Sequence, residues 1–566
     1  MSKLRELDEK YEEKINEAFP VDLNRSDLQP TTRLQGYCDA MYATVATFLV
    51  LPLRNLHDLD HHPKTLDEYL HDKRGHFACF FIGFFVICTL WEQKTRRFQI
   101  VKRLDDFLVF LDIISLLATT CLPFSMALAG HYLDEGAGSI LTCILIAIIE
   151  FVEAIIVLYA FASPRLLHFE LHNWSNTELS HLRNMLVLPR ILGISICVAG
   201  GFLMLLHFAL TWVLISLMII VPLGRQMVFY VWRHKFSRNR TSTRKNSNAN
   251  WFYWELSKGN ISKERIECMS DAACAIIACV LILDLTVEHF PTVQKVKEHG
   301  LIYELKHMSP EIGVYAGCYG GVSALWYVNH TVVHHLNHFD TVLLFLQKVF
   351  LVFASLVPFT SNMIVKFGNH KDKQGSLANL TAFGFYFCAY SANALMVFWG
   401  YYKKEKLMHT WAVNRGIKGI CGENRKGQLY VLLKVTLMPI WTLIGMILSS
   451  IPGGYGGHNL RFAMYGLTFL TFAILKLTLA CHYHKSTDFT SRQASVRKWQ
   501  KEVNETVGNP ANDVQNTIVE EVTEVDATVL ENLSTDAEVV MTESSAVKTS
   551  VQHDNDESKE TNDYKF

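Results

Sequence analysis

Arg33-Leu-Gln-Gly-Tyr-Cys-Asp39 opens an apolar stretch that runs to Leu53, and Arg265-Ile-Glu-Cys-Met-Ser-Asp271 opens another that runs to Leu285. The two are one pattern, 232 residues apart. Arg33, Asp39, Ala40, Ala43, Ala46, Leu49, Leu51 and Leu53 recur as Arg265, Asp271, Ala272, Ala275, Ala278, Leu281, Leu283 and Leu285, eight identities in twenty-one positions. An apolar run of about 20 residues has the length of a membrane crossing. An Arg and an Asp at the mouth of each copy therefore read as a duplicated membrane protein. A pore or transport path built on a pseudo-symmetry axis requires such a repeated entrance helix.

The duplication continues downstream. Trp91 pairs with Trp326, Phe110-Leu111 with Phe345-Leu346, and Pro123-Phe124 with Pro358-Phe359, each 235 residues on. A chance likeness of two hydrophobic helices would not hold its register this far.

Hydrophobic residues make up 50% of the chain and charged residues 19%, below the usual quarter of a soluble protein. About twelve apolar runs can be counted, near 38–56, 77–93, 107–131, 138–162, 184–207, 209–232, 268–287, 312–334, 341–365, 380–402, 428–451 and 459–482. Backbone groups must be satisfied inside lipid, and these runs show no strand alternation, so they predict helices. The expected fold is an all-α membrane protein of about twelve transmembrane helices, arranged as two parallel six-helix repeats. Residues 1–29 form a polar N-terminal segment, 30–232 the first repeat, 233–262 a basic linker, 263–484 the second repeat, and 485–566 an acidic tail. The tail holds sixteen acids against four lysines from 501 onward, a composition that does not bury enough apolar surface to fold alone. The first thirty residues carry no apolar core of a signal peptide, so the first span acts as its own insertion signal. Thirteen cysteines, mostly within spans, imply neither a disulfide framework nor a zinc site.

Positive charge marks the cytosolic side. Arg233 to Lys245 holds six Lys or Arg and no acid, and the connection after span two is read as holding Lys94, Arg96, Arg97, Lys102 and Arg103. With six spans per half, both termini and the linker are expected in the cytosol. The opposite loops carry His57, His61, His62, His71 and His76, and His289, His299 and His307. They are either solvated side chains or groups that titrate with lumenal pH. One sequon, Asn379-Leu380-Thr381, falls near a span on that side.

At about 100° per residue, Thr44, Thr47 and Leu51 share one stripe of the first helix, and Ile276, Cys279 and Leu283 repeat it. The stripe is small, smooth and uncharged. It suits either a narrow pathway that gates by excluding water or ordinary contact between membrane helices. Asp39 and Asp271 point about 140° away from it. They are read as packing nodes that fix the helix, with Arg33 one to two turns earlier either snorkelling or joining Asp39.

The Arg-x-x-x-Tyr-Cys-Asp of residues 33–39 and the Arg-x-x-x-Met-Ser-Asp of 265–271 resemble the Arg-x-x-x-Phe-Ser-Asp signature of the transmembrane protein 175 family. That family comprises potassium channels of endosomes and lysosomes. The resemblance covers both repeats, including Leu51-Pro-Leu53, Leu281-Ile-Leu-Asp-Leu285 and Tyr159-Ala-Phe161 with Pro164. It implies a homodimer in which four first helices line one pore. It implies a constriction at Thr44 and Ile276, with Thr47 and Cys279 contributing to potassium preference. It implies a signature network of Arg33, Asp39, Arg265, Ser270, Asp271, Trp91 and Trp326. The chain departs from the pattern at Thr44, polar where relatives carry an aliphatic residue, and at Tyr37, Met269 and Cys38. In the second helices it reads Trp91-Glu-Gln-Lys94 and Trp326-Tyr-Val-Asn329, followed by His330.

The leading expectation is therefore a potassium-permeable cation channel of endolysosomal membranes. A proton-conducting channel on the same scaffold is the alternative. A secondary transporter ranks lower, because no Gly or Pro interruption is read at mid-span in both halves. A non-conducting scaffold is a further class. No nucleophile or metal constellation stands at either face, so neither an enzyme, a cofactor nor a metal is expected, and no nucleic acid. Beyond the ions and a second copy, the expected partner is the lipid bilayer.

Overall fold

In the computed structural model, residues 29–54, 65–132, 136–168, 174–204, 208–220, 261–283, 293–367, 373–403, 425–450 and 470–475 are described, with short pieces between them. Met1–Leu479 forms one compact unit. The N-terminal segment to 28, most of the basic linker and the acidic tail lie outside the described residues.

Repeat I runs through α1 (Thr32–Phe48), the short α2 (Leu51–Arg54) and α3 (Leu66–Asp72), then α4 (Arg74–Ile100), α5 (Asp106–Thr120), α6 (Leu122–His131), α7 (Ala137–Ala162), α8 (Asn176–Leu203) and α9 (Phe208–Leu217). Repeat II runs through α10 (Lys263–Leu283), α11 (Val293–His299), α12 (Leu301–His307), α13 (Ser309–His335), α14 (Thr341–Ser355), α15 (Val357–Phe367), α16 (Lys373–Lys403) and α17 (Arg425–Ser450). Nine helices among the described residues are long and apolar enough to cross a membrane. α13 stands at a tenth expected place and is more polar. The sixth span of each half lies only partly among the described residues.

The repeats agree in fine detail. β1 (Gln29–Pro30) pairs antiparallel with β2 (Arg103–Leu104), and β3 (Ile261–Ser262) pairs with β4 (His338–Phe339) in the same register. Asp105 caps α5 by accepting from Leu108 N at 2.9 Å, and Asp340 caps α14 by accepting from Leu343 N at 3.0 Å. Each cap also accepts from an aromatic donor of the fourth long helix: Tyr159 Oη to Asp105 at 2.7 Å and Trp399 Nε1 to Asp340 at 2.9 Å. Tyr159 and Trp399 are 240 residues apart, which sets the register of α7 against α16.

The third helix is interrupted in both halves, between α5 and α6 and between α14 and α15. Pro123 and Pro358 are the cause, since neither supplies the N–H that a helix interior needs. Pro189 and Pro439 lie inside α8 and α17 as well. The expectation of no paired interruption is thus wrong. The third-helix breaks are kinks, however: Ser125 N donates to Cys121 O at 3.2 Å and Thr360 N to Leu356 O at 3.1 Å, so helical bonding resumes across each.

The repeats meet along α1 against α10, along α4 against α14 and along α2 against α15. Phe85 stacks on Phe345 at 6.0 Å, while Phe81 meets Phe353 and Phe77 meets Phe359 edge-on. An ion pair joins α14 to α4, Lys348 Nζ to Glu92 Oε2 at 2.8 Å, and Arg96 holds the same Glu92 at 2.7 Å.

Candidate functional site

The predicted stripe sits on two helices that pack against each other. Thr44, Ile276 and Leu283 are half-buried, Thr47 is buried and Cys279 is exposed. The Thr44 hydroxyl donates to Ala40 O at 2.8 Å, and the Thr47 hydroxyl contacts Ala43 O and Thr44 O, each at 3.0 Å. Both hydroxyls are therefore satisfied one turn back, and each threonine can offer its methyl group outward. Leu51 departs from the expected stripe. The helix ends at Phe48 and restarts at Leu51 ahead of Pro52, so Leu51 is off the regular helical register while Leu283 completes an unbroken α10.

The tryptophan of each repeat reaches the signature carboxylate of that repeat. Trp91 Nε1 donates to Asp39 Oδ1 at 2.8 Å, and Trp326 Nε1 donates to Asp271 Oδ1 at 2.7 Å. Asp39 is 3% exposed, so its second oxygen needs a partner. Arg265 supplies it from the other repeat, Nη1 to Oδ2 at 3.1 Å. Arg33 does not: it is exposed and pairs with no carboxylate among the described residues. Asp271 is exposed and meets no Lys or Arg among the described residues. Ser270 is buried but bonds within its own helix, to Ile266 O at 2.8 Å and Glu267 O at 3.2 Å.

Sequence reasoning missed a charged cluster behind the first helix of repeat I. Lys94, Arg97, Asp112, Glu150, Glu153 and Arg190 are all buried between α4, α5, α7 and α8. The signal was present, because ionisable residues inside apolar runs are functional candidates by default. Lys94, Arg96 and Arg97 had been assigned to a connecting loop. They lie inside α4, so Lys102 and Arg103 are the positive charges that remain in that connection.

The histidine-rich loops are described only in part. His57, His61, His62 and His289 lie outside the described residues, while His76 meets His131 edge-on at 5.8 Å. His299 stacks on Tyr303 at 5.3 Å and lies 3.7 Å from Glu304. Asn379 is buried inside α16, so its sequon does not present an acceptor to a glycosylating enzyme. No group of three metal-ligating side chains occurs among the described residues.

Both signature segments match the family described as endosomal/lysosomal potassium channel TMEM175, over residues 33–123 and 265–358. Both repeats of the chain are thus similar to this family, over about a third of the sequence. It is 26% identical over 370 residues to the endosomal/lysosomal proton channel TMEM175 of Danio rerio, covering 64% of this chain and 69% of the relative. Against the protein of the same name from Homo sapiens it is 26% identical over 343 residues, covering 58% and 65%. A potassium channel of Streptomyces collinus is 27% identical over 107 residues, 19% of this chain and 51% of the relative. The chain thus spans about two thirds of the length of the animal relatives.

Proposed function

We propose that the chain is a cation channel of endosomal and lysosomal membranes, permeable to potassium, whose pore is lined by the first helices of a homodimer. The observation that carries this is the crossing of Arg265 to Asp39 between repeats. Each repeat offers an Arg on one side and an Asp on the other. One chain joins a single such pair and leaves Arg33 and Asp271 over. A second copy related by a twofold axis places Arg33 against the partner subunit's Asp271 and closes a ring of four first helices.

The faces left open agree with that ring. Phe359 is fully buried against repeat I, while its counterpart Phe124 is 64% exposed. Val352 is 1% exposed and its counterpart Leu117 is 65% exposed. Trp91 is buried and Trp326 is 38% exposed. Each open face repeats one side of the contact already made inside the chain, so a second copy is its matching occupant.

Proton conduction is the second reading, favoured by the names of the animal relatives. An apolar ring with threonine hydroxyls turned back into the helix passes ions only when it is wetted. The basic run from Arg233 to Lys245 supports cytosolic termini. Reconstitution in liposomes with separate potassium and proton gradients tests the reading. A reversal potential that follows potassium supports the first, and one that follows pH supports the second. A protein that forms no dimer or carries no current overturns both.

A further inference from the structure

The charged cluster of repeat I has an uncharged twin in repeat II. Lys94 Nζ bonds Asp112 Oδ1 at 3.0 Å and Glu153 Oε1 at 3.1 Å. Arg97 grips Asp112 at 2.6 Å and Glu153 at 3.2 Å. Arg190 holds Glu150 at 3.0 Å. In repeat II, Asn329 Nδ2 donates to Gln347 Oε1 at 3.0 Å and to Asn393 Oδ1 at 2.9 Å. Asn329 stands at the position of Lys94 and Gln347 at that of Asp112, 235 residues on. Asn393 stands at that of Glu153, 240 residues on, the spacing set by Tyr159 and Trp399. Val332 stands at that of Arg97.

Two cations and two anions are thus replaced together. That concert follows from electrostatics, because removing one member of a buried pair strands the other. Both sets hold the second, third and fourth helices in the same way, so charge is not needed for packing. The neighbouring first helix differs in step. Tyr42 is buried on α1, with Lys94 Nζ 5.9 Å from its ring centroid. Its counterpart in α10 is Cys274, which has no ring to hold.

We infer that Lys94, fixed by Asp112 and Glu153, is a positioning residue that braces α1 through the face of Tyr42, a brace that α10 lacks. The packing role is shared by both repeats; positioning is what the charge adds. Tyr42 lies two residues before Thr44 and five before Thr47, so the brace sets where those side chains stand. The pore then has two braced helices and two unbraced ones, a twofold rather than fourfold wall. The inference rests on the channel reading above.

The test uses the full chain in liposomes. Lys94→Asn/Arg97→Val/Asp112→Gln/Glu153→Asn keeps the net charge and imports the amide set of repeat II. It should assemble like the wild type, and its potassium-to-proton permeability ratio should shift by about threefold or more, the size of coupling through a packed neighbour. Tyr42→Cys should shift the ratio in the same direction with every charge in place, while Tyr42→Phe, which keeps the ring face, should leave it unchanged. A wild-type ratio in the fourfold variant or in Tyr42→Cys overturns the brace. Failure of the fourfold variant to assemble also overturns it, because charge would then be holding the fold itself. A wild-type chain without current sinks the channel reading instead, so the two failures are told apart.

Discussion

Arg265 of repeat II donates from Nη1 to Oδ2 of Asp39 in repeat I at 3.1 Å. Each Arg stands six residues before the Asp of its own copy. Six residues of helix turn the side chain by about 600°, leaving it about 120° away from the Asp direction and about 9 Å along the axis. An Arg therefore cannot readily close on its own Asp, and the pair forms between neighbours. The signature is written twice in the chain, and its Arg from the second copy meets its Asp from the first.

Asp39→Asn should leave Arg265 without its anion in a largely buried setting. We expect a loss of about 3 kcal/mol of stability, the scale for breaking one side of a buried pair. Thermal unfolding in detergent measures it. Asp39→Glu should recover part of the loss by keeping the charge. If Asp39→Asn melts like the wild type, the pair does not hold the two halves together.

The proposed homodimer predicts a charge-reversal rescue. Arg33→Glu should weaken the dimer, because two like charges would face each other across the contact. Asp271→Arg alone should do the same, and the double variant should restore the dimer. Size exclusion with light scattering reads the mass. A dimer unaffected by either single change would place Arg33 and Asp271 away from the interface.

Much of the fold was legible because duplication supplies its own alignment. The Asp39 and Asp271 copies, the Trp91 and Trp326 pair, and the two proline kinks all lie on one register. The charged cluster was not legible by the same means, since Lys94, Asp112 and Glu153 have no charged counterpart in repeat II. Positive charge near the end of an apolar run looks the same whether it faces cytosol or a buried carboxylate, and this misplaced Lys94, Arg96 and Arg97. Leu51 was misplaced because angular arithmetic assumes an unbroken helix, whereas the chain turns at Leu49–Val50 ahead of Pro52. The origin of Asp39's cation needed the tertiary contact: no single copy of the motif states that its Arg serves the other repeat.

His168 gives a pH dependence outside the spans. It lies in the connection between α7 and α8, where its backbone N–H donates to Ile100 O at 2.8 Å. Burial pushes its pKa down to about 4, and the nearby Lys102 and His172 add to this. The folded state therefore keeps it neutral below the ordinary histidine value of about 6.5, where the unfolded chain is protonated. Its contribution is present in full above about 6.5 and is lost as pH falls toward 4. His168→Asn should flatten the fall in melting temperature between about pH 7 and pH 5. Parallel curves for wild type and variant would show that other groups set the acid sensitivity.

Thr44 is polar where the family resemblance implies an aliphatic residue, and its hydrogen bond bears on how that polarity acts. Its hydroxyl already donates to Ala40 O at 2.8 Å, so the group is satisfied inside the helix. The side chain then presents a methyl group, much as valine would. Thr44→Val should therefore change the resting current and the potassium-to-sodium ratio by no more than about twofold, because the surface toward the proposed pathway is kept. Ile276→Thr should likewise act mainly through lost bulk, widening the ring and raising the current. Asn at position 44 behaves differently: its amide cannot fold back as compactly, and a polar group would stand in the ring and wet it. Thr44→Asn should raise the resting current well beyond Thr44→Val, measured in the same liposomes at equal protein density. Equal currents in Thr44→Val, Thr44→Asn and the wild type would move the constriction away from this level, to Leu283 of α10 and the restarted turn at Leu51.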